Sequence, residues 1–267
     1  MRNPWGDGSA YERYMGRWSR PVAAQFVRWL AVPDDGAWLD VGCGSGALSQ
    51  TVLASARPRL VVGCDQSSAY TTFAASQTAD RRARFVVAEL PDLPRTDDGF
   101  DAVVAGLVLN FLPAPLDGLR AMAARARRGG IVAVYVWDYA EGMQWLRVFW
   151  DAAGALDPST RPLDEGVQFP LCRPAPLRQL FERAGLSDVQ VEALTVPSVF
   201  RDFGDYWEPF LGGQGPAPAY VAGLPAEGQA RLRDLIQSRL PLASDGTIHL
   251  TARVWAAKGR ASESPPA

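Results

Sequence analysis

The segment WLDVGCGSG, residues 38–46, constrains the fold more than any other stretch of the chain. A short apolar run, AWLDV (37–41), is followed at once by glycines 42, 44 and 46. A helical pattern then runs through Leu48, Val52 and Leu53. Glycines at this point let the backbone turn tightly and come close to a ligand, and the following helix presents unpaired N–H groups there. The segment therefore reads as a buried strand, a tight turn and a helix, the opening unit of an α/β sheet.

Further apolar runs repeat the pattern. LVVGCD (60–65), RFVVAE (84–89), FDAVVAG (100–106) and IVAVYVW (131–137) read as strands two to five. Helices are expected at 20–31, with Pro21 in the first turn, at 67–80, and at 115–128, the last stopped by Gly129-Gly130. Strands without strict alternation fit burial on both faces, so a parallel sheet covered by helices is expected. The later half is less regular. It offers an aromatic helix at 141–156, a helix at 176–184, a strand at 189–196, a helix at 226–240 and a final strand at 247–257.

Composition removes several classes. Of 267 residues, 48% are hydrophobic and 21% charged, which supports a sizeable core. The net charge is −2 and Lys occurs once, at Lys258, so no electrostatic footprint for nucleic acid or anionic lipid is present. Cys43, Cys64 and Cys172 fit no zinc spacing and read as reduced thiols. No signal-peptide core and no membrane-length apolar run is seen, so a cytoplasmic setting is expected.

Two acids sharpen the glycine loop. Asp65 closes the second strand, about 20 residues beyond the loop, where a carboxylate can accept both hydroxyls of a ribose. Gly42, Gly44 and Ala47 also satisfy the GxGxxA pattern of dinucleotide enzymes. Asp40 separates the two readings, because a carboxylate beside a pyrophosphate is unfavourable. DVGCGSG (40–46) and VVGCDQS (61–67) resemble the first two motifs of the class I S-adenosylmethionine (SAM)-dependent methyltransferases, in the broad small-molecule group of ubiquinone and menaquinone type. VVAELPDLPRTDDGFD is similar to the third motif, with Glu89 at its acidic position, and GLVLNFL (106–112) to the segment after strand four. SAM carries a sulfonium and an ammonium and no phosphate, so an acid suits it.

The resemblance extends through YERYMGRWSR, WDYAEGM, FLGGQGPAPAYV and ARVWAAKGR, and so covers most of the chain. It implies a Rossmann-like seven-stranded sheet of order 3-2-1-4-5-7-6, mostly parallel with an antiparallel last strand. It implies one domain over 1–258, with aromatic lid segments 1–18, 138–175 and 197–246, and a disordered tail at 259–267. Cofactor contacts are expected from Asp40, Gly42, Cys43, Gly44, Gly46, Asp65, Gln66, Glu89, Leu90, Gly106 and Leu107. Tyr14 and Arg17 are the candidates for the carboxylate of SAM. Trp137, Tyr139, Trp145, Phe149, Trp150, Phe169, Trp207 and Phe210 are the available acceptor-pocket wall.

The expected reaction is in-line displacement on the SAM methyl carbon, through positioning and desolvation, with S-adenosylhomocysteine (SAH) as product. The acceptor is a small molecule, and the protein is expected as a monomer or homodimer. His249, the only histidine, is the candidate general base. The competing reading makes it a hydrogen-bonded, partly buried ring. Asp164 and Glu165 read as solvated loop acids, with binding of a cationic acceptor as the alternative, and no metal site is expected. Two rival functions remain open: a SAM-binding protein that does not methylate, either cyclase-like or regulatory, and a nicotinamide-dependent oxidoreductase. The oxidoreductase reading is disfavoured by Asp40 and by the lack of a Tyr-x-x-x-Lys pair.

Overall fold

Every residue of the strand Ala37–Val41 (β1) is buried, which is what a strand covered on both faces requires. It lies between Leu60–Asp65 (β2) and Phe100–Gly106 (β4), parallel to both, with Leu39 opposite Val62 on one side and Val103 on the other. Ala83–Val87 (β3) pairs in parallel with β2 at the sheet edge. Ala126–Trp137 (β5) pairs in parallel with β4. The computed structural model describes residues 8–212 and 215–262, with side chains from Gly16 onward.

Strands Ser187–Phe200 (β6) and Ile248–Arg260 (β7) complete a seven-stranded sheet of order β3-β2-β1-β4-β5-β7-β6. β7 runs against β5. Ala261 N–H donates to Gly130 O at 2.9 Å, whereas Asp138 N–H donates to Arg253 O at 3.0 Å, so rising numbers on one strand meet falling numbers on the other. The sheet is therefore the mixed, Rossmann-like one that the motifs implied.

Helices join these strands in chain order: Gly8–Leu30 (α1), Ala47–Ser55 (α2), Ser68–Ser76 (α3), Pro115–Ala123 (α4), Gln144–Leu156 (α5), Glu165–Gln168 (α6), Pro174–Arg183 (α7), Phe203–Trp207 (α8), Pro216–Gly223 (α9) and Ala226–Arg239 (α10). The described residues form two compact units. Within the described residues, one comprises 8–18, 137–172 and the described part of 195–253, and the other 19–136, 173–194 and 254–262. β1 to β4 belong wholly to the second unit. The stretches expected as lid segments fall in the first, apart from 173–175.

Several boundaries differ from expectation, among them the end of the helix expected at 67–80, which stops at Ser76, and the strand expected at 189–196, which spans Ser187–Phe200. The first helix begins at Gly8, not at residue 20, and Pro21 sits inside it. Buried Trp18, Val22, Phe26 and Leu30 recur every four residues, and burial of that stripe outweighs the bond lost at proline. The helix expected to reach residue 128 stops at Ala123. Arg125 then enters the sheet, its carbonyl accepting from Phe100 N at 2.9 Å, while its guanidinium donates to Leu93 O at 2.8 Å and Pro91 O at 3.2 Å. Gly129 and Gly130 lie inside β5 and do not cap a helix. Finally, β7 continues to Arg260, so residues 259 and 260, assigned to the tail, are strand. Residues 263–267 of that tail lie outside the described residues.

The two glycines of β5 have opposite requirements. A Cβ on Gly130 meets Phe100 O and Arg127 O, both at 2.9 Å, whereas on Gly129, with φ of +69°, it meets nothing within 4 Å. Gly130→Ala is expected to lower the unfolding free energy by about 1–3 kcal/mol, the usual cost of overpacking against rigid atoms. Gly129→Asn, a residue that tolerates positive φ, is expected to change it by less than about 1 kcal/mol. Urea unfolding of both variants checks the contrast.

Candidate functional site

Because β1, β2, β3 and β4 are parallel and adjacent, their carboxyl ends line one edge of the sheet. The segments leaving those ends carry Gly42–Gly46, Asp65-Gln66, Glu89-Leu90 and Gly106-Leu107. In open α/β sheets this edge is where ligands bind. The loop after β1 is held at both ends. The N–H groups of Gly42 and Cys43 donate to Cys64 O, at 2.8 and 2.9 Å, and Gly46 N–H closes a turn on Cys43 O at 2.8 Å. Gly42 has φ of +70°, and a Cβ there would lie 2.7 Å from Val108 Cγ2, so no larger residue fits. Gly44 has φ of +51° with nothing within 4 Å of an added Cβ, which leaves the loop open on that face.

Half-buried Asp65 fastens this loop to the next helix. Its Oδ2 accepts from Gly44 N–H at 3.1 Å and its Oδ1 from Ser67 N–H at 2.9 Å. Ser67 in turn caps α3 through Tyr70 N–H. Each carboxylate oxygen is thus engaged once and keeps further lone-pair capacity for a ligand hydroxyl.

Asp40 has a different place from that of an open ligand carboxylate. It is buried behind the loop, and Ser49 Oγ of α2 donates to its Oδ2 at 2.7 Å. Burial pushes its carboxyl up to about 7, partly offset by the Ser49 bonds, with the charge of Asp65 adding to the rise. Burial likewise pushes the Cys64 thiol up to about 12 and raises Cys43, so these thiols are packed and unreactive. Gln66 and Glu89 are exposed, and Leu90 is half-buried. Leu107 holds φ of +62° and donates its N–H to Tyr135 O at 2.8 Å.

Comparison with known families matches residues 39–134 to the methyltransferase domain family. Residues 39–134 therefore form a methyltransferase domain of the class I, SAM-dependent kind. Over 114 residues the chain is 33% identical to a demethylmenaquinone methyltransferase of Roseiflexus, covering 43% of this chain and 48% of that protein. Over 175 residues it is 30% identical to a tRNA U34 carboxymethyltransferase of Pseudomonas paraeruginosa, covering 64% and 51%. The chain therefore spans about half the length of these curated relatives. In fold it is similar to phosphoethanolamine N-methyltransferase 2 of Haemonchus contortus, solved with SAM, at a TM-score of 0.57 and 17% identity over 96% of this chain and 57% of that one. SAM is the cofactor of such a domain, and the residues present fit it. The open face at Gly44 admits a ligand, and the carboxylate of Asp65 can accept from its hydroxyls.

The remaining predicted residues belong to the other unit. Arg17 pairs with Asp205 at 3.3 Å, and its guanidinium lies 5.1 Å from the ring centre of Phe200. The side chain of Tyr14 lies outside the described residues. Trp145 stacks on Trp18 with ring centres 4.8 Å apart, and Phe149 on Phe210 at 4.5 Å. Tyr206 Oη donates to Trp145 O at 2.6 Å. Trp137, Tyr139 and Trp207 are also buried, with Tyr139 against Phe169. These rings pack chiefly against one another. His249 is exposed, not partly buried, and its Nε2 lies 2.9 Å from Thr247 Oγ1.

Sequence reasoning missed two features of this unit. Asp164 and Glu165 are not solvated loop acids. Asp164 caps α6 by accepting from Gly166 N–H and pairs with Arg147 at 2.7 Å. Glu165 is buried and accepts from Trp150 Nε1, and burial pushes its carboxyl up to about 7. The Asp-x-Gly spacing of the cap was the available signal. The second feature is the pair of Asp138 and Arg253, whose Nε donates to Oδ2 at 2.7 Å with Gly142 packed against both. No local pattern links residues 115 apart. Among the described residues no cluster of three metal-ligating side chains occurs, and no helix is long and apolar enough to cross a membrane.

The raised carboxyl of Asp40 has a testable sign. The folded protein keeps a proton that the unfolded chain releases between about pH 4 and pH 7, so the group's contribution to stability falls as pH rises through that window. At about 1.4 kcal/mol per pKa unit, the full penalty above pH 7 is on the order of 4 kcal/mol. Asp40→Asn keeps an acceptor for Ser49 and removes the charge. Its unfolding free energy relative to the parent protein is expected to rise between pH 5 and pH 8, measured by urea titration at each pH. A flat difference contradicts the assignment.

Proposed function

We propose that the chain catalyses SAM-dependent methyl transfer to a small-molecule acceptor. The observation that carries the reading is the Asp65 carboxylate, fixed by Gly44 and Ser67 N–H groups beside a glycine loop that is open at Gly44. A loop held this way offers hydrogen-bond acceptors to a ribose. The match of residues 39–134 to the methyltransferase domain family supports SAM over a dinucleotide. SAM supplies a methyl group already activated by its sulfonium.

The chain's own part is to hold and orient. Asp65 is the ribose ligand. The loop from Gly42 to Gly46 sets the backbone close to the cofactor, and Gly106 and Leu107 present backbone beside its methionine end. Asp40 acts through Ser49, keeping the loop and α2 in register. Glu89 and Leu90 border the adenine. His249, held by Thr247, needs no role as base if positioning supplies the rate. A net charge of −2 without a basic tract supports a small acceptor over a nucleic acid. The same features support the non-methylating, SAM-binding alternative equally well. Turnover of SAM to SAH separates the two.

SAH is expected to bind with no added metal. Asp65→Ala is expected to weaken it by about 1–3 kcal/mol, roughly 5- to 150-fold, the cost of losing hydrogen bonds to a charged acceptor. Calorimetry of the parent protein and the variant, with NAD as a control ligand, tests both the site and the cofactor class. Tight NAD binding without SAH binding contradicts the reading.

A further inference from the structure

Buried polar atoms without a partner are rare in folded proteins, because each forfeits its hydrogen bond to water. Among the described residues, Trp38 Nε1, Thr96 Oγ1, Asn110 Nδ2 and Arg147 Nε are such atoms. Their places in the fold differ. Trp38 is the second residue of β1 and Thr96 precedes β4, so both belong near the amino ends of the parallel strands. The guanidinium of Arg147 is otherwise engaged by Tyr139 O and Asp164. Asn110 follows the carboxyl end of β4, four residues after that strand closes at Gly106, and no polar partner engages its amide nitrogen.

The backbone there is rigidly built. Leu107 turns the chain in the left-handed region, a conformation unfavourable for a residue other than glycine. Its N–H is tied to Tyr135 O. Residues Leu109–Phe111 then form a short 3-10 turn, with Phe111 N–H donating to Val108 O at 2.9 Å and Leu109 fully buried beneath it. Val108 packs on the glycine loop, so closely that a Cβ on Gly42 would touch it. Asn110 thus stands two residues beyond Val108, on the turn that follows this contact with the loop proposed for the cofactor, with a donor that the protein itself does not satisfy. A strained strand end and an unsatisfied donor are two costs at one place, and a ligand atom that accepts from the amide offsets the second.

We propose that Asn110 contacts the methyl acceptor, its side-chain amide donating to an acceptor oxygen, and that the substrates are hydroxy, carbonyl or carboxylate compounds. The proposal rests on the methyltransferase reading. A primary amide neither takes nor gives up a proton in the accessible pH range, so Asn110 orients the acceptor and does not act as a base. A cationic amine acceptor, which brings hydrogens and no lone pair, leaves the donor unsatisfied.

The test uses Asn110→Leu, close to isosteric and apolar, and Asn110→Asp, which accepts but does not donate when ionised. Three readings are taken: thermal unfolding, SAH calorimetry, and transfer from methyl-labelled SAM to catechol, 4-hydroxybenzoate, 2-hydroxy-1,4-naphthoquinone and phenethylamine. Asn110→Leu is expected to melt about 2 °C or more above the parent protein, since an unpaired buried donor has been removed. SAH affinity is expected to stay within about twofold. Transfer to the oxygen compounds is expected to fall at least about tenfold in Asn110→Leu and further in Asn110→Asp, the range for losing an orienting contact. A lower melting temperature in Asn110→Leu shows a satisfied, structural amide and overturns the proposal. A tenfold loss of SAH affinity assigns the amide to the cofactor and also overturns it. Transfer by the parent protein to phenethylamine alone, or to none of the oxygen compounds, overturns the substrate class. Absence of SAH binding by the parent protein is a separate result, which removes the methyltransferase reading itself.

Discussion

The carbonyl of Cys64, at the end of β2, accepts from two successive amides of the neighbouring strand's loop, Gly42 and Cys43. Parallel pairing of β1 with β2 delivers that carbonyl to the place where the chain must leave the sheet. The loop's direction, the start of α2 and the position of Asp65 all follow from it. Asp65 is the next residue along β2, and its carboxylate reaches back to Gly44 and forward to Ser67. One strand end therefore organises the glycine loop by its backbone and the following helix by its side chain.

Asp40 shows what this arrangement costs and where the cost is offset. The residue is fixed in β1 two positions before the turn, so its carboxyl has no route to water. Ser49 supplies a hydrogen bond, yet burial still dominates and holds the group near neutrality. A carboxyl that keeps its proton up to about neutral pH adds little charge behind the loop, and its contribution is the hydrogen bond that ties β1 to α2.

The other unit is built on different chemistry. Its rings stack on one another, with Trp18 on Trp145 and Phe149 on Phe210, and their polar edges find specific partners in Ser198 and Glu165. Such rings bury large area and prefer offset geometries, and they share this core with aliphatic residues such as Leu146, Leu232 and Ile236. Asp138, just past the end of β5, and Arg253, within β7, add an ion pair whose acid is buried. Aromatic composition in these segments had suggested a ligand pocket. The structure shows that the same composition is first a means of packing.

What the sequence determined by itself was the set of features carried by local chemistry. Apolar runs of five to seven residues placed the strands, because a strand buried on both faces tolerates little else. Gly42, Gly44 and Asp65 marked the loop proposed to hold the cofactor, because backbone geometry and ribose recognition each permit few residue types. The strand order came with the motif resemblance, and the sheet has that order. Tertiary structure decided the rest. Whether residues 124–130 continue a helix or join β4 depends on the partner strand offering Phe100 N–H to Arg125 O, and no local propensity contains that bond. Whether Glu165 faces water or Trp150, and whether the amide of Asn110 finds a partner, depend on side chains brought from distant positions. Burial and hydrogen-bond satisfaction are properties of the packed molecule, so a chain read residue by residue shows which groups need partners and not which ones obtain them.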